Sequence, residues 1–136
     1  MSTIQIHTYI NFQGRAREAM EWYQAALGGT LDLQTLSEQG QPKPAGPGDA
    51  IMYARLDVDG AVIIGSDGRP NHPATVGENM ALALSGTDRE RLTKAFNTLA
   101  KGGTIGLPLT DTPYGATAGW VTDKFAIIWQ ITITKA

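Results

Sequence analysis

The stretch Leu99–Ile133, LAKGGTIGLPLTDTPYGATAGWVTDKFAIIWQITI, closes one amphipathic segment and then runs through alternating strands rich in aromatic residues. Its opening, Lys101-Gly102-Gly103, matches Leu27-Gly28-Gly29 earlier in the chain, and each glycine pair stands after a helical stripe and before a short strand, a polar loop and a hairpin. Glycine at such a point ends a helix, because it adopts positive φ without a steric penalty. The chain therefore reads as two copies of one β-α-β-β-β unit.

Outward from that stretch the repeat can be followed residue by residue. Ile4–Phe12 sets Ile4, Ile6, Thr8 and Ile10 against Gln5, His7, Tyr9 and Asn11, the period of a strand with one face on a core. Ala16, Ala19, Met20, Tyr23, Ala26 and Leu27 then form one helical stripe, with Trp22 at its flank. Thr30–Leu36 reads as a strand. Ser37–Asp49, with three prolines and three glycines, reads as irregular, either a mobile lid or a disordered excursion. Ala50–Val58 and Ala61–Gly65 flank Asp59-Gly60, a strong hairpin signal. In the second copy Glu78–Ser85 alternates as a strand and Thr87–Glu90 has the pattern of a capping box. Leu92, Ala95, Phe96, Leu99 and Ala100 form the second stripe. Thr104–Leu107 is a strand, Pro108–Gly115 a loop, and Ala118–Thr122 with Phe125–Thr134 a second hairpin around Asp123-Lys124.

The expected fold is α+β in a single domain over residues 1–136: module one at 1–65, a connector at 66–77 and module two at 78–136. Each βαβββ module offers a curved sheet covered by a helix on one face and bare on the other. Pairing the two completes a partly open barrel, and its cavity is where a small ligand would go.

Composition narrows the function classes. The chain of 136 residues has no cysteine, which excludes disulfides, zinc–thiolate sites and thiol nucleophiles. Its net charge is −2 and its eleven Lys and Arg are scattered, so nothing favours nucleic acid. No apolar run approaches the ~20 residues that span a bilayer, and the N-terminal stretch lacks a basic leader, so no membrane partner and a cytoplasmic location are expected. There is no G-x-S-x-G elbow and no glycine-rich phosphate loop opening a helix.

The chain resembles the vicinal oxygen chelate superfamily, which includes glyoxalase I, bleomycin-resistance proteins and extradiol dioxygenases, and most of all its PhnB-like branch. The residues that carry the likeness begin with Tyr9-Ile10-Asn11-Phe12-Gln13-Gly14, Glu18-Ala19-Met20-Glu21-Trp22-Tyr23 and Leu27-Gly28-Gly29. They continue in Ile51-Met52-Tyr53-Ala54-Arg55-Leu56, Gly65-Ser66-Asp67, Lys101-Gly102-Gly103, Val121-Thr122-Asp123-Lys124-Phe125 and Ile128-Trp129-Gln130-Ile131. The resemblance implies the paired βαβββ fold and a homodimer, but no single reaction. Two departures stand out: Tyr114-Gly115 where the branch often has Trp-Gly, and Ala126 where it usually has Gly.

The resemblance also implies where a divalent metal would bind, on the first and last strand of each half. Counting from the glycine pairs and the hairpin aspartates gives His7, Ser66, Ala81 and Gln130, with an error of one or two residues open at Ser66. His7 is a good ligand for first-row metals, Gln130 offers a carbonyl oxygen, Ser66 rarely binds and Ala81 cannot. Asn79, on the face of Ala81, is a weak ligand, and Glu78 points to the other face.

The preferred reading is therefore a protein that takes up a small organic molecule without a tightly held metal, in a cavity lined by His7, Tyr9, Asn11, Tyr53, Trp120 and Gln130. The alternative is a glyoxalase-type lyase or isomerase with weakly held Zn, Ni, Mn or Fe on His7 and Gln130. Trp129, out of phase with Gln130, is expected beneath the helices; Trp120 is open between core and pocket. Arg55 joins Tyr53 as a cation for an anionic ligand or as a solvated side chain. His72 reads as a solvated loop residue.

Overall fold

A computed structural model describes residues 4–69 and 71–135, so residues 1–3 of the stretch read for a leader, Pro70 of the connector and Ala136 lie outside it. The chain divides into two compact units, Met1–Thr75 and Val76–Ala136, and the boundary falls inside the connector read from the sequence.

The first module contains β1 (Thr8–Asn11), α1 (Ala16–Leu27), β2 (Thr30–Leu36), β3 (Pro42–Pro44), β4 (Tyr53–Val58) and β5 (Ala61–Ser66). Its sheet has the order β1-β5-β4-β2-β3, with β1 parallel to β5 and the other neighbours antiparallel. The second contains β6 (Leu82–Gly86), α2 (Arg89–Ala100), β7 (Thr104–Asp111), β8 (Thr117–Thr122) and β9 (Ile128–Ile133), in the order β6-β9-β8-β7 with β6 parallel to β9. Both are βαβββ modules of an α+β fold with open sheets, and the first carries one additional edge strand. No helix among the described residues is long and apolar enough to cross a membrane.

The helical stripes are the cores. All six residues of the first stripe are buried on α1, and Leu92, Ala95, Phe96 and Leu99 are buried on α2. Under α1, Ala54 and Leu56 of β4 are buried, and Gly65 leaves room for Phe12 and Met20. Under α2 lie Val121, Trp129, Ile131 and Ile133. Trp129 is therefore a core residue, as its phase against Gln130 requires.

Each glycine pair has a second duty besides ending a helix. A Cβ on Gly29 would lie 2.2 Å from the Asp57 carbonyl oxygen, and one on Gly103 would lie 2.1 Å from that of Thr122. Each closes the gap between the chain leaving a helix and the end of a hairpin strand, which only a residue without a side chain can do.

Four local expectations are corrected. The first strand starts at Thr8 instead of Ile4, and Ile4 and Ile6 are 94% and 93% exposed. The ladder pairs Thr8 with Ile63, which puts Ile6 level with Ala61, the first residue of β5, and Gln5 and Ile4 level with the Asp59-Gly60 turn, beyond the start of β5. Ser37–Asp49 is not irregular throughout, because β3 pairs with the end of β2. Ser37 N donates to Gln41 O at 2.8 Å and Ala45 N to Leu33 O at 2.9 Å, so the odd-numbered positions carry the ladder bonds. Pro42 and Pro44 fall between them, where their missing N–H groups would point away from β2, and an edge strand tolerates that. β7 likewise continues through Pro108 to Asp111, with register shifts on either side of Leu107 that absorb the proline at the sheet edge. Finally, α2 is capped by Asp88 and not Thr87: the Asp88 carboxylate accepts from Arg91 N at 3.1 Å.

Ala126, the departure from glycine, has φ 68° in the turn between β8 and β9, and its N–H donates to Asp123 O at 2.9 Å. An alanine pays a steric cost there that glycine avoids. Ala126→Gly is expected to raise stability by about 1 kcal/mol, a few degrees in Tm by differential scanning calorimetry. An unchanged or lower Tm would mean that the turn carries no such strain.

Candidate functional site

Residues opposite one another in a ladder point to the same side of the sheet, so the registers show what each bare face presents. In module one, the face away from α1 carries Tyr9 opposite Ile64, Asn11 opposite Ser66, Arg55 opposite Ile64 and Tyr53 opposite Gln34. His7 stands half-buried just before β1. Tyr9, Asn11, Tyr53 and Arg55 are thus on one face, with His7 just ahead of it.

Several of their polar groups are already engaged within module one. The Tyr9 hydroxyl and the buried Ser66 Oγ are hydrogen bonded, and Ser66 Oγ also accepts from Gly68 N at 3.2 Å. Asn11 Oδ1 accepts from Gln13 N at 2.8 Å. Arg55 forms a bidentate pair with Asp57, Nε to Oδ2 at 2.9 Å and Nη2 to Oδ1 at 3.1 Å. Hydrogen bonding to Asp57 first, and to Tyr53 after it, holds the Arg55 guanidinium pKa above its ordinary value. Arg55 in turn holds the Asp57 carboxyl below the usual carboxylate range, with a smaller pull from His7. The pair's contribution is therefore present above the ordinary carboxylate pKa and is lost as pH falls through the lowered one. Arg55 is a guanidinium already matched to a carboxylate, not a free cation waiting for an anionic ligand.

Module two presents a different surface. Away from α2, Trp120 stands opposite Gln130, Gln130 opposite Ala83, and Thr122 opposite Ile128. Trp120 is 39% exposed, and its ring lies on the backbone of Gly106, where a Cβ would come within 2.1 Å of the indole. A glycine inside a strand pattern marks such a close approach, and Gly106 is the sequence signal for the indole's seat. The face borders a cleft of about 640 Å³ within module two, where Trp120, Gln130 and Ile128 meet Glu78, Asn79 and Met80. Strand parity places Glu78 on the opposite face, which is incorrect. The strand begins only at Leu82, so parity does not govern residue 78.

The ladders also fix which positions correspond between the copies. Thr30 and Thr104 follow the glycine pairs and are partnered by Asp57 and Thr122. Continuing from there, Arg55 corresponds to Trp120, Ile64 to Gln130, Tyr9 to Ala83, Ser66 to Thr132 and His7 to Ala81. Counting along the sequence matches Gln130 to Ser66; the correct partner is two residues earlier. The β8–β9 turn is longer than Asp59-Gly60, so counting from Asp59 and Asp123 slips.

That register decides the fit of a metal at the four repeat-related positions. They hold His7, Ile64, Ala81 and Gln130: one imidazole, one amide and two side chains without a donor. A catalytic divalent metal needs about three good protein ligands. The residues do not fit one. Among the described residues, no three His, Cys, Asp or Glu side chains gather into a group able to hold a metal ion.

Comparison with known proteins gives concordant results. The model of a family described as 3-demethylubiquinone-9 3-methyltransferase matches residues 4–132. Protein YjdN of Escherichia coli (strain K12) is 31% identical over 139 residues, covering 93% of each chain. Among solved structures, protein PA1353 from Pseudomonas aeruginosa is similar with a TM-score of 0.83 and 34% identity, over 98% of this chain and 100% of that one. A putative 3-demethylubiquinone-9 3-methyltransferase, PhnB protein, from Bacillus cereus follows with a TM-score of 0.76 and 27% identity, over 96% and 100%.

Proposed function

Because the chain belongs to the family described as 3-demethylubiquinone-9 3-methyltransferase, the PhnB-like branch of the vicinal oxygen chelate superfamily, we propose that it binds a small organic molecule in the cleft of its second module. The observation that carries this reading is Trp120, an indole with an exposed face, directly across the ladder from Gln130 at the edge of a cleft of about 640 Å³. Ligand sites of drug-sized molecules fall in the range of roughly 300–1,000 Å³ and combine apolar walls with a few polar groups that fix orientation. Val76, Met80 and Ile128 supply the walls, and Gln130 and Asn79 supply amides that both donate and accept.

His7, Tyr9, Asn11 and Tyr53 belong to this reading in a secondary role. Their face is held by its own hydrogen bonds and by the Arg55–Asp57 pair, so a ligand there would have to displace contacts already made. A metal-dependent lyase or isomerase has no support in the donor set at the four repeat-related positions. The homodimer is part of the same proposal, and the exposed Ile4 and Ile6, which precede the edge strand β1 in the chain, are the apolar surface that favours it.

The test uses quinoline as a flat neutral probe, its binding followed by isothermal titration calorimetry. Stacking on an aromatic ring contributes about 1–1.5 kcal/mol beyond area burial. Trp120→Ala is therefore expected to weaken quinoline binding roughly tenfold, while Trp22→Phe, on α1 of the other module, leaves it unchanged. Equal affinity in wild type and Trp120→Ala would overturn the assignment.

A further inference from the structure

We propose that the ligand of the module-two cleft is an organic cation carrying a flat aromatic ring; the inference rests on the reading of that cleft as a ligand site. Among the described residues that line it, Glu78 alone carries a charge, and that charge is negative. The ring face of Trp120 adds the negative side of an aromatic quadrupole, which attracts ammonium, guanidinium and N-alkylated heteroaromatic groups within ~6 Å. An aromatic anion in this cleft would meet a carboxylate and a π face with no Lys or Arg among the lining residues to offset them. A neutral ring would stack on the indole but would leave Glu78 without a role.

The corresponding position in the other copy sharpens the point. Where module two has Trp120, module one has Arg55, held by Asp57 in a bidentate pair. The two copies thus set opposite chemistries at one place in the repeat: a cation already neutralised in the first, an aromatic face open to a cation in the second. Glu78 is exposed, in the segment before β6. The attraction of an exposed carboxylate for a cation extends to about a Debye length, ~8–10 Å.

Three bicyclic probes of similar shape separate the possibilities: 1-methylquinolinium as the cation, quinoline as the neutral ring and 2-naphthoate as the anion. Dissociation constants would be measured near neutral pH by isothermal titration calorimetry on the full chain. The expected order is 1-methylquinolinium tightest, roughly tenfold ahead of quinoline, with 2-naphthoate weakest. Glu78→Gln is expected to shrink the lead of the cation to about two- to threefold while leaving quinoline unchanged, and added salt should shrink it in the same direction. Trp120→Leu is expected to weaken all three. Binding of 2-naphthoate as tight as that of 1-methylquinolinium, or an undiminished cation preference in Glu78→Gln, would overturn this inference. Equal binding of all three through Trp120 overturns it while leaving the cleft as a ligand site. Failure of every probe to bind overturns both.

Discussion

Asp123→Ala is expected to destabilise the protein by about 4 kcal/mol, because it strands three hydrogen-bond donors at once. The side chain is only 3% exposed and serves all three. Oδ1 accepts from Phe125 N at 2.8 Å and Ile127 N at 3.0 Å, and Oδ2 accepts from the buried Trp129 Nε1 at 2.9 Å. Truncation leaves an indole N–H and two turn amides without their acceptor, and each buried donor so stranded costs about 1–3 kcal/mol. It also frees the β8–β9 turn, which the carboxylate ties to the core beneath α2. Urea unfolding should show the loss as a lower midpoint. Asp123→Asn keeps one carbonyl oxygen and is expected to recover about half. A loss below about 1 kcal/mol in the alanine variant would show that the turn holds without this carboxylate.

Gly29→Ala is expected to cost about 3 kcal/mol, and Gly103→Ala somewhat less. At Gly29 the added Cβ would come 2.2 Å from the Asp57 carbonyl oxygen and 3.0 Å from Val58 Cγ2, at a φ of 96° that alanine resists. At Gly103 the clash is with Thr122 O at 2.1 Å, and its φ is outside the positive range, so the packing cost acts alone. Overpacking against backbone costs about 1–3 kcal/mol, and the unfavourable φ adds about 1 kcal/mol. The difference between the two variants in urea unfolding is thus a measure of the conformational cost. Two neutral substitutions would contradict the close approach of helix exit and hairpin end in both modules.

Much of the fold is legible in the sequence because it is written in short-range periodicity. The stripe from Ala16 to Leu27 is the buried face of α1 without exception, and Asp59-Gly60 turns the β4–β5 hairpin with φ of 51° and 89°. The glycine pairs mark the repeat itself. What cannot be read depends on which strand lies alongside. Ile4 and Ile6 alternate as a strand should, yet Ile6 is level only with the first residue of β5 and Ile4 lies beyond its start. Pro42 and Pro44 argue against a strand until β2 is seen to need nothing from their nitrogens. The same holds for the candidate site. Alternation within one strand puts Tyr9 and Asn11 on the same side, but only the ladder registers bring Tyr53 to that face and set Trp120, which the sequence leaves open between core and pocket, opposite Gln130. The slip at Ser66 comes from unequal hairpin turns, and Glu78 is misplaced when parity is extended beyond the end of a strand.

If the ligand stacks on Trp120, the indole N–H signals of the ¹⁵N-labelled protein will register it. Trp129 is core and Trp22 lies on α1, so the three tryptophans report from distinct places. Titration with 1-methylquinolinium is predicted to shift the Trp120 indole signal, assigned by its loss in Trp120→Phe, while those of Trp22 and Trp129 stay in place. A shift confined to Trp22, or saturable binding that leaves Trp120 unmoved, would mean that the ligand binds away from Trp120.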